Sequence, residues 1–328
     1  MPGERKKYVD YAKGIGIILM IMGHIGFGQK FDIWIHSFHM PLFFVISGVL
    51  YRKPDDMRQH IRKRIRSLLV PYACWGGVYT LLSLITVGYL DAEKVMHLLW
   101  ENTRPLPITS VLWFFTALFF ADIIFYSIMA FIKNGLWRCL LCIAVSLSGV
   151  FFATYLPYRL PWAIDSGMVG VAFFYLGYSF EKVIQKEDGL INSYSTKIVI
   201  CILSIAASML ALISSPINMR EGTYGNPMLF FSVAGALCIV IIYWCLILEK
   251  TVCRKREGIF RLLSYIGRKS IVFLCVNQPV ISFVNKVFFV YRFHVEMSNI
   301  VNLLITILTI TLITALLKPK VFKPFIGE

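Results

Sequence analysis

Long polar stretches are missing from this sequence. The three longest, Arg52–Ser67, Asp91–Thr109 and Ser214–Asn226, are each too short to bury a core of their own, which excludes a separate soluble domain. Charge is scarce as well: 16% of the 328 residues are Asp, Glu, Lys or Arg, 58% are hydrophobic, and the mean hydropathy is +0.70. Soluble domains run at about 45–50% apolar and about 25% charged, so these values belong to a membrane protein. Acidic residues are the rarer sign, 18 against 33 basic ones. The resulting charge of +15 does not point to nucleic acid, because the basic residues fall between apolar runs, as the positive-inside rule requires. No internal repeat is visible, which counts against an inverted-repeat transporter. The eight cysteines all sit in apolar runs or at their basic ends, so no disulfide framework is implied. Cys139 and Cys142 form a CxxC without a second pair, and are read as structural.

What is present is apolar helix. Runs long enough to span a bilayer occur at Tyr11–Phe27, Ile33–Tyr51, Leu68–Tyr89, Ser110–Ile132, Cys139–Tyr155, Ala163–Phe180, Ile198–Ile213, Met228–Leu248, Ile271–Val290 and Ile300–Leu317. The expected fold is therefore an all-α, polytopic transmembrane bundle of about ten spans, in one domain over residues 1–328. The 16-residue run from Ile198 is a little short for an untilted span. With the N-terminus inside, 26 Lys and Arg fall on inner segments and 7 on outer ones, which predicts that both termini are cytoplasmic. The basic head and apolar stretch at the N-terminus resemble a signal peptide, but without a small-residue cleavage site they read as a retained first span. Asp91–Arg104 reads as a short interfacial helix.

Ionisable groups concentrate in one apolar hairpin, Tyr8–Pro54, which carries Asp10, Lys13, His24, His36 and His39. A central Lys or Asp costs roughly 2.5–3.5 kcal/mol to insert, so such groups face a protein interior or a wet cavity. Lys13 and His24 are eleven residues apart, about three full turns, and so share a helix face with roughly 16 Å between them along the axis. A turn at Gly28–Asp32, with Lys30 near its apex, would bring His24, His36 and His39 to similar depth, with Lys13 far below. A buried histidine is the usual proton carrier near neutral pH, which makes His24 a candidate general base. His36 and His39 could bind a metal with His24, but no acidic residue or cysteine is near enough in sequence to complete a site, and no metal is expected. They are read as holding an acceptor or orienting His24.

After the second span comes Arg52–Pro71, where Lys63, Arg64 and Arg66, with Arg62, lead into the membrane at the Lys13 end. They suit either anionic lipid headgroups or a phosphorylated ligand, since guanidinium binds phosphate bidentately. Asp122, midway along the fourth span, could orient a histidine or pair with Tyr, Ser or Lys.

Asp10, Lys13 and His24, followed by HSFHMPLFFVISG, RKRIRSLLVPY and GRKSIVFL, together resemble acyltransferase family 3 of integral membrane acyltransferases, the fucose 4-O-acetylase-like branch in particular, from about Tyr8 to Leu317. The resemblance implies acyl transfer, usually of acetyl, from acyl-CoA to a hydroxyl of a sugar or other acceptor. Lys13 matches the basic position of the family's signature, and His24 its presumed catalytic histidine. Many relatives have a histidine late in the GRKSIVFL-type span, where this chain has Asn277, Gln278 and Pro279. Some relatives also carry an extracytoplasmic esterase-like domain, which is not expected here. The expectation is thus a multi-pass acetyl-CoA-dependent O-acetyltransferase of the cell membrane, with His24 as catalytic base and Lys13, Lys63, Arg64 and Arg66 binding the donor. Asp10, His36, His39 and Asp122 would support the base or hold the acceptor, with Trp34 and Asp165 beside His36 at an outer mouth. The expected partners are acyl-CoA, a sugar or polysaccharide acceptor, membrane lipids and, in a homo-oligomer, a second copy of the chain. The rival reading is a proton-coupled exporter or flippase in which His24, His36, His39 and Asp122 relay protons.

Overall fold

The computed structural model describes residues 5–186, 188–251, 257–290, 298–317 and 322–327. Cys253, Arg254, Lys255, Arg256, Arg292, Lys318 and Lys320 lie outside them. The described residues form helices α1 (Lys7–Ile25), α2 (Gln29–His36), α3 (His39–Val49), α4 (Met57–Arg64), α5 (Val70–Val87), α6 (Ala92–Leu99), α7 (Trp113–Phe131) and α8 (Gly135–Tyr155). They continue with α9 (Ile164–Lys186), α10 (Asp188–Asn192), α11 (Tyr194–Ile213), α12 (Pro227–Thr251), α13 (Glu257–Arg268), α14 (Ser270–Val290), α15 (Asn299–Leu316) and α16 (Lys323–Ile326). Among these residues the only strand-like pairing is an isolated bridge between Asn218 and Thr223.

Among the described residues, ten helical segments are long and apolar enough to cross a membrane. Their ends depart from the expected runs by several residues, and three of the departures have a clear local cause. The second, Gln29–Val49, is broken, since Ser37 and Phe38 close a tightened turn onto Trp34 and Ile35 before α3 begins. The third starts at Met57, because α4 continues through a π-helical turn at Ile65–Leu69 into α5, so that the basic segment belongs to the spanning helix. The seventh starts at Tyr194, where the Ser193 hydroxyl accepts from the Thr196 amide at 3.1 Å, and its 20 residues suffice to span. The first hairpin turn also moves. α1 ends at Gly26, whose φ of 89° favours glycine, and Lys30 and Asp32 fall inside α2, so the turn is Gly26–Gly28.

The interior is built on backbone approach. A Cβ at Gly48 would stand 2.0 Å from the Phe174 carbonyl oxygen, and one at Gly177 would stand 2.0 Å from that of Val45, so α3 and α9 meet where neither carries a side chain. α8, α11 and α15 lie at the periphery and expose apolar side chains such as Leu147, Ile202, Met209 and Leu308, as lipid-facing helices do. The start of α1 is fixed by Glu249 of α12, whose carboxylate accepts from the amides of Lys7 at 2.9 Å and Tyr8 at 3.1 Å. The two ends of the described chain share one end of the bundle. Gly327 packs on Ser67, and the Phe325 carbonyl accepts from the Trp75 indole at 3.0 Å.

Candidate active site between two cavities

Two cavities enter the bundle from opposite ends. The one at the basic end holds about 1090 Å³, and its mouth is lined by Lys13 and by Arg52, Lys53, Lys63, Arg64 and Arg66. α4 is anchored there by Asp56, whose side chain accepts from the Arg58 amide at 2.8 Å. Asp122 of α7, wholly buried, holds α4 from inside: His60 donates to it from Nε2 at 2.6 Å, and the Arg64 guanidinium donates to its other oxygen. The His60 ring stacks on Tyr126 with centroids 3.9 Å apart. A buried carboxylate needs such pairing. Arg64 Nε nonetheless remains buried without a partner beside the cavity.

The second cavity, about 230 Å³, is lined by His24, His36, His39, Trp113, Asn218, Arg220 and Gln278. His36 donates from Nδ1 to the Asp32 carbonyl at 2.7 Å, and His39 from Nδ1 to the Ile35 carbonyl at 2.8 Å. Both therefore keep Nε2 free, with ring centroids 5.0 Å apart. His24, in the last turn of α1, is exposed to this space, and its Nδ1 lies 3.4 Å from the Gln278 amide nitrogen. Among the described residues no Asp or Glu lines this cavity.

An apolar layer one helical turn thick separates the cavities. Ile17 and Met20 of α1, Phe43 and Met40 of α3, and Phe114 and Trp113 of α7 each put one side chain on either cavity, and Leu274 of α14 lines both. Lys13 and His24 thus stand at the two ends of one stripe on α1 that passes through the layer.

The expected site residues divide accordingly. Lys13, Lys63, Arg64 and Arg66 share the basic cavity, and His24, His36 and His39 share the other. Asp10 lines neither; it accepts from Arg5 at 2.8 and 3.1 Å and lies 3.4 Å from the Ser264 hydroxyl, tying α1 to α13. Asp122 orients a histidine, but that histidine is His60, at the basic end and away from the hairpin. Trp34 donates to Ser208 at 3.1 Å and lies outside the histidine cavity. Asp165 is held in a buried ion pair with Arg159, likewise outside the cavity. Burial works against the Arg159 charge, but hydrogen bonding and the charge of Asp165 hold its guanidinium above its ordinary value. Arg159 also donates to the Arg220 carbonyl at 2.6 Å, and Ser166 to that of Met219 at 2.8 Å, so Asp165 serves the cavity through the loop that carries Asn218 and Arg220.

His60, Gln278, Thr109, Asn218 and Arg220 were not expected. His60 is hidden in a segment whose cations read as holding lipid headgroups or a phosphorylated ligand. Gln278 lies in the three residues that depart from the resembled pattern. Asn277, beside it, is buried, lines neither cavity and turns its amide onto the Phe273 and Leu274 carbonyls.

Two cavities of opposite character thus face each other across a thin apolar layer inside the bundle. The model of the acyltransferase 3 family, described as an acyltransferase domain, matches residues 6–318, and the chain belongs to this family. Among curated proteins, the nodulation protein NolL of Mesorhizobium japonicum is similar, at 30% identity over 223 residues that cover 60% of this chain and 53% of NolL. The chain thus spans about half the length of this relative.

Proposed function

We propose that the protein is an O-acetyltransferase of the cell membrane, with its basic end in the cytoplasm, that moves acetyl from acetyl-CoA to a hydroxyl of a sugar or surface polysaccharide. The observation that carries this reading is the pair of cavities on either side of Leu274, with Lys13 at one end and His24 at the other end of one helix face. The phosphates of the donor sit among Lys13, Lys63, Arg64 and Arg66, where the unpartnered Arg64 Nε supports an anionic ligand. The pantetheine arm follows α1 over the roughly 16 Å between Lys13 and His24, which brings the thioester to the apolar layer. The acceptor enters the histidine cavity. His24 takes the hydroxyl proton, the oxygen attacks the thioester carbonyl, and the carbon–sulfur bond breaks. The departing CoA thiolate then receives the proton from His24. His36 and His39 offer free Nε2 atoms to the acceptor's other hydroxyls.

The proton-relay alternative loses its acidic member, because Asp122 is committed to His60 and Arg64 across the apolar layer from His24. The test is purified protein given acetyl-labelled acetyl-CoA and a glycan acceptor. Wild type releases CoA and labels the glycan, whereas His24→Ala keeps acyl-CoA binding and loses about 10²–10⁴-fold in transfer. Transfer by His24→Ala within threefold of wild type removes His24 from the mechanism.

A further inference from the structure

Gln278 reaches His24 from 254 residues away, and the base mechanism above leaves it without a task. Its amide nitrogen lies 3.4 Å from His24 Nδ1, and its amide oxygen accepts from the Thr109 hydroxyl at 2.6 Å. Both flanks of this contact are built to hold it. On α14, Pro279 has no N–H for the Cys275 carbonyl, and the Tyr79 hydroxyl donates to that carbonyl instead, at 2.7 Å. Ahead of α7, Ile108 has a φ of 63°, and the Thr109 amide donates back to the Pro107 carbonyl at 2.7 Å. A β-branched residue in the left-handed region, at the centre of a three-residue turn, is a strained conformation of the kind that persists where the surroundings over-determine it.

We propose that Thr109 and Gln278 form a positioning relay that fixes the ring orientation and proton placement of His24. The proposal rests on the reading of His24 as the base and adds what makes it one. A primary amide has an accepting and a donating end, interchanged by a half-turn of the group. With the oxygen toward His24, Gln278 accepts the Nδ1 proton and donates to Thr109, leaving Nε2 bare for the acceptor hydroxyl. With the nitrogen toward His24, the arrangement found in this structure, the ring proton sits on Nε2 and the base is blocked until a half-turn of the amide frees it. The Thr109 hydroxyl serves either arrangement, as acceptor in the first and donor in the second. During transfer the proton stays on Nδ1, hydrogen-bonded to the amide oxygen, while Nε2 takes the hydroxyl proton and passes it to the leaving sulfur, so His24 ends neutral in its starting form.

The experiment compares Gln278→Leu, Gln278→Glu and Thr109→Val in the full-length protein, with acetyl-CoA and the glycan acceptor. Gln278→Leu is expected to lower kcat ten- to a hundredfold with KM for acetyl-CoA within twofold, and Thr109→Val to lower kcat less, in the same direction. Gln278→Glu, which is isosteric and stabilises imidazolium, is expected to recover most of kcat above neutral pH and to move the acid limb of the kcat profile to higher pH. With ¹⁵N-histidine labelling, the His24 signal, assigned by its loss in His24→Asn, should report a protonated Nδ1 in wild type and a shift toward Nε2 protonation in Gln278→Leu. Unchanged kcat in Gln278→Leu and Thr109→Val, or an unchanged tautomer with Glu as damaging as Leu and no movement of the acid limb, overturns the relay. If His24→Ala is at the same time inactive, the base reading stands without it; if His24→Ala is active, both fall.

Discussion

Leu274→Ala tests whether the apolar layer measures the acyl group. Leu274 is 7% exposed and borders both cavities, so it stands where the acyl end of a donor reaching for His24 would lie. Leucine to alanine removes three carbons, enough room for two further methylenes on the donor. Each methylene buried contributes about 0.8 kcal/mol, or about fourfold, so butyryl gains about 1.6 kcal/mol, roughly fifteenfold, relative to acetyl. Folding should suffer at the lower end of the about 2–5 kcal/mol usual for such truncations, because Leu274 already borders open space on two sides. The assay mixes equimolar acetyl-CoA and butyryl-CoA with the acceptor and reads the two esters by mass spectrometry, while thermal unfolding in detergent checks integrity. A butyryl-to-acetyl ratio that stays at the wild-type value in a folded variant refutes the reasoning, since the layer would then not contact the acyl chain.

Lys13→Gln should weaken acyl-CoA binding by about 1.5–3 kcal/mol, roughly ten- to a hundredfold by calorimetry, with Lys13→Arg retaining most of it; an unchanged affinity would leave Lys13 as a boundary marker only. Asp122→Ala strands Arg64 and His60 without their carboxylate and should cost about 3–5 kcal/mol of stability, read as a lower unfolding temperature, with Asp122→Asn in between. Lys30→Cys should gain labelling by an impermeant maleimide in intact cells and Asp55→Cys should not; the reverse pattern would invert the topology.

The spans were legible because hydropathy is a local sum, and so was the shared face of Lys13 and His24, which follows from helix geometry within one segment. What escaped was set by partners far away in sequence. Asp122 sits mid-run in an apolar helix, and nothing nearby identifies His60, 62 residues earlier, as the group it holds. The reading of Asp165 and Trp34 as mouth residues failed for the same reason, since Arg159 and Ser208 claim them first. Gln278 was visible only as a departure from an expected histidine, and its meaning required α14 to be placed beside α1. The Ser37–Phe38 break was invisible because both flanking stretches are apolar and helical by composition.

The stripe on α1 also acts as a fixed measure. One residue inserted between Lys13 and His24 would turn the histidine by about 100° and push it about 1.5 Å further from the lysine, away from Gln278 and out of the cavity. Each end of the bundle can change its side chains independently, the basic mouth without disturbing the histidine cavity and the reverse. The number of residues between the two is not free to vary. Chimeras that exchange histidine cavities between such proteins should keep α1 whole, because a junction inside it that alters its length would separate two halves that are individually sound.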